Sequence, residues 1–381
     1  MTLLLLLLLA CAERPGGPPT VNGDPDHDWP ALPALDQSIV EIMGRDSVPG
    51  LSACLVVEGE VTWCNGYGER NTDTGDLAYA STPFLLASVS KAVTAVAIMQ
   101  AVEDGHLSLD APVGDTLDFD VVHPDEPGTP ITLRHLMGHT SGIADNWDVM
   151  DAHYVEGDST EPLGEFLKGY LSVGGADYSE SDNFLRKGVE GVSEYSNIGA
   201  ALAGYLVEAA TGVPFDDYCD QHIFAPLAMN AGWHLADFDE ADVAMPTRLR
   251  DGEFVTVPHF GVPDYPDGQL RADAHSMATF LAMVDQDGVH GGESLLSAAS
   301  VDALLTPAYA DLDANQGLIW YWWRLGGDDV WGHNGGEIGT STEIVLRDDD
   351  GVGAVVLMNG LGGNDTLGDV EKAVMAAAAD L

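Results

Sequence analysis

Apolar residues recur at helical spacing in LDQSIVEIMGRDSV (residues 35–48), which predicts an amphipathic helix that stops before Pro49. Two segments of strand character follow, LSACLVVEG and EVTWCNGYGE, with a turn at residues 58–59 between them, and together they predict the first hairpin of an antiparallel sheet. LLASVSKAVTAVAIMQ (85–100) is apolar almost throughout and predicts a buried helix beginning near Ser88 and ending at Gly105. From about residue 106 to about 265 long Pro/Gly/Asp loops separate short helical patterns such as TLRHLMGHTS and SNIGAALAGYLVEAATG. Residues 272–286 and 297–305 predict further helices. GLIWYWWRL, DVWGHNG, STEIVLRD and GVGAVVLMNG then read as strands, and a last amphipathic helix covers about 365–379. The expected architecture is α+β: one antiparallel sheet built from the first two and the last three or four strands, flanked by helices, with a largely helical region inserted at about 106–265. No internal repeat is evident.

At 381 residues the chain is long enough for one large domain with such an insertion. Sixty-two acidic against 14 basic side chains give a formal net charge of −48, so no basic patch of useful size can form and nucleic acid is excluded as a partner. The acidic excess is spread through loops rather than gathered in a tail, as on a surface adapted to high ionic strength. MTLLLLLLLACAERPGG opens the chain with a leucine run too short for a permanent membrane span but of the length of a signal-peptide core. Cys11 after Leu-Leu-Ala resembles a bacterial lipobox, although no Lys or Arg precedes the run. Residues 1–11 are therefore read as an export signal ending at a lipidated Cys11, and membrane association is expected through that anchor alone. Residues 12–34, rich in Pro, Gly and Asp, are read as a flexible tether to the cell envelope.

Cys54 and Cys64 flank the hairpin turn. A regular two-residue turn sets Cys54 opposite Trp63, so the two cysteines can pair only if a bulge shifts the register by one residue.

Chemistry enters with Ser88 and Lys91, one helical turn apart and so on one helix face. The chain has four lysines, and only Lys91 has a serine three positions before it. A serine hydroxyl needs a base to become a nucleophile, and burial of an amine lowers its pKa toward the range of one. Two later stretches follow in order: GVSEYSNIGAALAGYLVE places Tyr195 and Asn197 just before a helix, and WGHNGGEIG places His333, Asn334, Gly335 and Gly336 on or beside a strand. Taken alone, Asn197 reads as a helix cap and Tyr195 as a packed aromatic.

In this order SxxK, YxN and HxG resemble the beta-lactamase-related serine hydrolases, which include class C beta-lactamases, DD-carboxypeptidases and carboxylesterases of one fold. The resemblance spans roughly residues 35–379. It implies an active-site cleft between the sheet domain and the helical region, with Ser88 as nucleophile and Lys91 and Tyr195 as the proton-transfer pair. Which of the two takes the first proton stays open. It also implies that Asn197 contacts Lys91 or the substrate amide, and that the main chains of Ser88 and Gly336 hold the oxyanion, with Gly335 allowing close approach. His333 stands where the beta-lactamases and peptidases of the fold usually carry lysine, and a mostly neutral imidazole favours substrates without an obligatory carboxylate. Esters are expected first. Amides come second, as a D-amino-acid peptidase, DD-carboxypeptidase or beta-lactamase would cleave, and a non-catalytic relative that binds peptidoglycan or an envelope protein comes third.

No cofactor is implied. His135 and His139 share a helix face, but without Glu at 136 or a third ligand the pair does not make a zinc motif, and the segment reads as scaffold. PDGQLRAD (266–273) departs from the glycine-rich turn plus Ser/Thr of the relatives. Trp322, Trp323 and Trp331 are candidates for an acyl pocket, with core packing expected for at least two.

Overall fold

The computed structural model describes residues 15–381 except Asp348. Its strands are β1 (Val21–Gly23), β2 (Gly50–Val57), β3 (Glu60–Asn71), β4 (Tyr321–Leu325), β5 (Asp328–Glu337), β6 (Thr340–Arg347) and β7 (Val352–Met358). They form one antiparallel sheet in the order β1-β3-β2-β7-β6-β5-β4, with Asp76–Leu77 pairing at the side of β3. The first hairpin and the last four strands thus share a sheet, and the helices α1 (Pro33–Asp46) and α7 (Thr366–Ala376) cover one of its faces.

Both faces of the central strands are buried, which is why β7 is apolar along its whole length and β2 is apolar apart from Ser52. Leu51, Ala53 and Leu55 pack with Ile39, Met43 and Val374 on one side, while Cys54 and Val56 join the core of the other. That second core contains α2 (Ser90–Glu103), whose residues from Ser90 to Ala101 are all buried, together with α6 (Ala274–Asp285). A helix apolar on every side has to sit between layers, and here α2 lies between the sheet and the inserted region. The insertion carries α3 (Leu133–Met137), α4 (Leu163–Leu171) and α5 (Asn197–Thr211), linked by long loops and strand pairs of a few residues. No single helix among the described residues is long and apolar enough to cross a membrane.

Two local expectations meet the structure differently. Cys54 and Cys64 are bonded, and the enabling bulge is present: Val56 faces Val61 but Leu55 faces Trp63, which brings Cys54 opposite Cys64. The flexible tether over residues 12–34 does not hold in its later part. Val21 pairs with Tyr67, the Asn22 side-chain amide donates to the carbonyls of Gly68 and Ala78 at 2.7 Å each, and the Trp29 indole donates to Asp24. A Pro/Gly/Asp-rich composition argues against a packed core, yet a sheet edge with open carbonyls needs only one well-placed Asn to hold a strand. Residues 1–11, with Cys11, lie outside the described residues.

The disulfide closes a short loop, so its removal costs about 2–3 kcal/mol through the entropy of the unfolded chain. The double variant Cys54→Ser, Cys64→Ser is expected to unfold at a lower temperature than the oxidised protein, while reductant leaves the variant's melting temperature unchanged.

Candidate active site

Ser88 sits in a short 3-10 turn (Ala87–Val89) that feeds directly into α2. Ala87 is held at φ 48°, a left-handed conformation that an alanine adopts only under constraint. The constraint comes from the sheet and the next loop. Thr340 donates to Leu85 O at 3.0 Å, the Thr342 hydroxyl donates to Leu86 O, and Leu86 N–H donates to Leu270 O at 2.8 Å. Gly335 of β5 presses on the same turn: a Cβ there would stand 2.3 Å from Leu86 O and 3.0 Å from Ser88 N. Only glycine permits that approach. Gly336 has open space around its own Cβ position and lines the cavity beside Ser88.

Lys91 is fully buried, and its Nζ donates to Ser88 Oγ at 3.1 Å, Asn197 Oδ1 at 2.7 Å and Asp267 O at 2.6 Å. Three acceptors match the three N–H bonds of an ammonium. The Asp267 carboxylate lies 3.7 Å away and the Tyr195 ring centroid 5.0 Å away. Burial depresses the Lys91 pKa, but Tyr195, Asp267 and Asp145 raise it by more, so the net displacement is upward. The expected shift toward a neutral amine is therefore reversed, because burial arrives together with acidic neighbours. Burial also pushes Asp267 up to about 6 against the pull of Lys91.

Asn197 begins α5, and its orientation is fixed by a residue the sequence did not mark. The Asp145 carboxylate accepts from Asn197 N at 3.0 Å, Asn197 Nδ2 at 2.9 Å, Ile198 N at 3.1 Å and the Ser196 hydroxyl at 3.3 Å. With Nδ2 turned to Asp145, Oδ1 has to face Lys91. Asp145 thus satisfies the open N–H groups of the helix start and sets the amide at once. It lies in the loop ADNW, where an aspartate before an asparagine is an ordinary loop composition.

Tyr195 is 41% exposed and borders the cavity. Its ring lies 4.6 Å from that of His139 and 6.2 Å from that of His333. His139 Nδ1 accepts from Ser196 N–H at 3.2 Å, whereas His333 Nδ1 donates to Asn334 O at 2.6 Å. Burial, aided by Lys91, lowers both imidazoles to about 3, so both are neutral near pH 7. His333 is 1% exposed and does not line the cavity. It sits between the rings of Tyr195 and Tyr321, so the support for substrate expected of it would pass through Tyr195. His135 Nε2 lies 2.7 Å from Glu190, and its Nδ1 accepts from Thr132 N–H, so the two histidines of α3 and its end serve different partners. Among the described residues no group of three His, Cys, Asp or Glu side chains is placed to hold a metal ion.

The cavity has a volume of about 750 Å³, ample for a small ligand. Ser88, Asp145, Trp147, Glu194, Tyr195 and Tyr321 are among its walls. Trp147 of the inserted region supplies the indole surface expected of the later tryptophans. Trp323 and Trp331 pack against the cores as expected for two of the three, and Trp322 donates to Ala314 O.

The beta-lactamase family model matches residues 35–379. The chain belongs to the beta-lactamase family. It is a serine hydrolase of that family, whose chemistry runs through an acyl-enzyme. It is 28% identical over 328 residues to penicillin-binding protein 4 of Amycolatopsis lactamdurans, covering 82% of this chain and 81% of that one. It is also 28% identical over 239 residues to esterase EstB of Burkholderia gladioli, covering 59% of this chain but only 58% of that protein. The structure of the octameric penicillin-binding protein homologue from Pyrococcus abyssi superposes with a TM-score of 0.70 at 25% identity, covering 91% of this chain and 77% of that one.

Asp145→Asn places an amide among the N–H donors it now accepts from. The variant is expected to lose about 2 kcal/mol of stability. Its rate of serine acylation by a fluorophosphonate should fall at least about tenfold, because Asn197 is then free to turn its Nδ2 toward Lys91. Denaturant unfolding and acylation kinetics read the two effects separately.

Proposed function

We propose that the protein hydrolyses carboxylic esters, with Ser88 as the acylated residue. The observation that carries this reading is the lining of the main cavity, which includes Asp145 and Glu194 but, among the described residues, no Lys, Arg or His. A substrate carboxylate would find no cation there, whereas an uncharged ester is free of that need. Ser88 Oγ attacks the carbonyl carbon, the carbonyl π electrons move to oxygen, and the Ser88 and Gly336 amides stabilise the oxyanion. Lys91 already donates its three N–H bonds as an ammonium, so the serine proton passes to Tyr195 acting as a phenolate, whose negative charge the adjacent Lys91 ammonium holds until the proton arrives and leaves it a neutral phenol. Tyr195 then protonates the leaving alkoxide as the C–O bond breaks. Water enters by the reverse exchange, giving its proton to Tyr195 and releasing the acid and Ser88. The leucine run and Cys11 support, by sequence alone, a place in the cell envelope with a lipid on Cys11.

Amides form the second reading, favoured by the similarity to penicillin-binding protein 4 over 82% of the chain. A panel of a short p-nitrophenyl ester, a D-alanyl-D-alanine peptide and benzylpenicillin separates the two. The expected result is ester turnover that falls about 10³-fold or more in Ser88→Ala, with little peptide cleavage and no lasting penicilloyl adduct. A higher kcat/KM on the peptide, or a penicilloyl-Ser88 species visible by intact mass, would move the assignment to amides.

A further inference from the structure

A second cavity, of about 60 Å³, shares Ser88, Trp147, Asn197 and Gly336 with the main one. Its remaining walls include Tyr154, Asp264, Asp267, Gln269 and Glu337. Three carboxylates around so small a space are unusual next to a reactive serine, and among the described residues the one ion pair that any of them makes is that of Asp267 with Lys91, at 3.7 Å. Lys91 is already engaged by three acceptors.

Two of the walls have unused hydrogen-bonding capacity. Asp264 is 4% exposed, and among the described residues its carboxylate accepts no hydrogen bond from any other residue, its own backbone N–H being its single donor. Gln269 is likewise 4% exposed, and its side-chain amide has no hydrogen-bond partner among the described residues. Neither side chain is sealed off from the cavity, so two largely buried groups without a side-chain partner present open acceptors to whatever enters it, and a ligand with several N–H donors satisfies both. Glu337, in contrast, is fixed: the Tyr154 hydroxyl and Ile338 N–H donate to its two oxygens at 2.7 Å each. Burial and the neighbouring Asp267 push the Asp264 carboxyl well above its usual range, the signature of a negative cluster short of positive charge.

We infer that this side cavity binds a primary ammonium group on the acyl part of the substrate, with Asp264, Gln269 and Glu337 as its acceptors. A primary ammonium offers three N–H donors, and the space holds about two water-sized groups, which fits an aminomethyl unit. The disparity of the two cavities assigns the ends: a short aminoacyl group enters the small one and the larger leaving group occupies the 750 Å³ one. The preferred substrates are then esters of small amino acids. This inference rests on the acyl-enzyme reading above and specifies the substrate class of the same site.

The test compares the p-nitrophenyl esters of glycine and of propanoic acid, which differ by an ammonium in place of a methyl group, each normalised to its uncatalysed rate. Ionic strength is held constant with tetramethylammonium chloride. The full-length wild type is expected to favour the glycyl ester at least about tenfold in kcat/KM, and Asp264→Asn and, independently, Glu337→Gln should bring that ratio toward one. In parallel, ethylammonium should raise the wild-type melting temperature where ethanol does not, and Asp264→Asn should abolish the effect. A stabilisation by Na⁺ or K⁺ that also removes the glycyl preference would assign the cavity to a free ion and overturn the inference. Equal turnover of both esters would overturn it and leave the ester reading standing. Stabilisation by ethylammonium that is lost in Asp264→Asn, without turnover of either ester, would retain the cation site and sink the ester reading. Neither turnover nor stabilisation would sink both.

Discussion

The ammonium of Lys91 is the constraint around which the two halves of the molecule close. A charge buried this completely is tolerated only with its donors matched and counter-charge close by, and each partner comes from a different part of the chain. Ser88 belongs to the same turn and helix, Asn197 opens α5 of the inserted region, and the Asp267 carbonyl lies in the loop that returns to the sheet domain. One lysine thereby ties the central helix to the insertion and to the loop before α6. Asp145 extends the chain of hydrogen bonds one residue further by fixing the Asn197 amide. Removing any member leaves a buried polar group uncompensated, so stability and catalytic geometry are coupled at this point.

The same arrangement explains why the site works with acidic neighbours. Tyr195 is left partly open to the cavity while Lys91 is fully buried beside it, and the proposed exchange of a proton between the phenol and substrate rests on that difference. The two imidazoles flanking Tyr195 are neutral, and a hydrogen bond at Nδ1 fixes the tautomer of each. Nδ1 is an acceptor in His139 and a donor in His333. Carboxyl groups also line the side cavity at Asp264, Asp267 and Glu337, where burial makes an arriving cation felt more strongly than the screened charge of the surface can.

Much of this was legible in the sequence. The all-round apolar run of α2 and the strand segments at both ends fixed the α+β plan, and the order of SxxK, YxN and HxG located Ser88, Lys91, Tyr195 and Asn197. The bulge condition for Cys54 and Cys64 was a register argument, and the register obeyed it. What could not be read was non-local. Asp145, Asp264 and Asp267 are three of many aspartates in loops, and only the fold brings them to Lys91. The direction of the Lys91 pKa depended on those same carboxylates. His333 carried the right motif but does not line the cavity, because alternation along β5 sends its side chain inward between Tyr195 and Tyr321. The docking of Val21–Gly23 combines backbone pairing to β3 with the Asn22 side chain, neither of which composition weighs.

The most direct test of the central claim is peptide-mapped mass spectrometry after brief exposure to a fluorophosphonate. Modification confined to the peptide containing Ser88 is predicted, absent in Ser88→Ala and slowed at least about a hundredfold in Lys91→Met. Modification at another residue, or none in a protein shown by circular dichroism to be folded, would contradict the account.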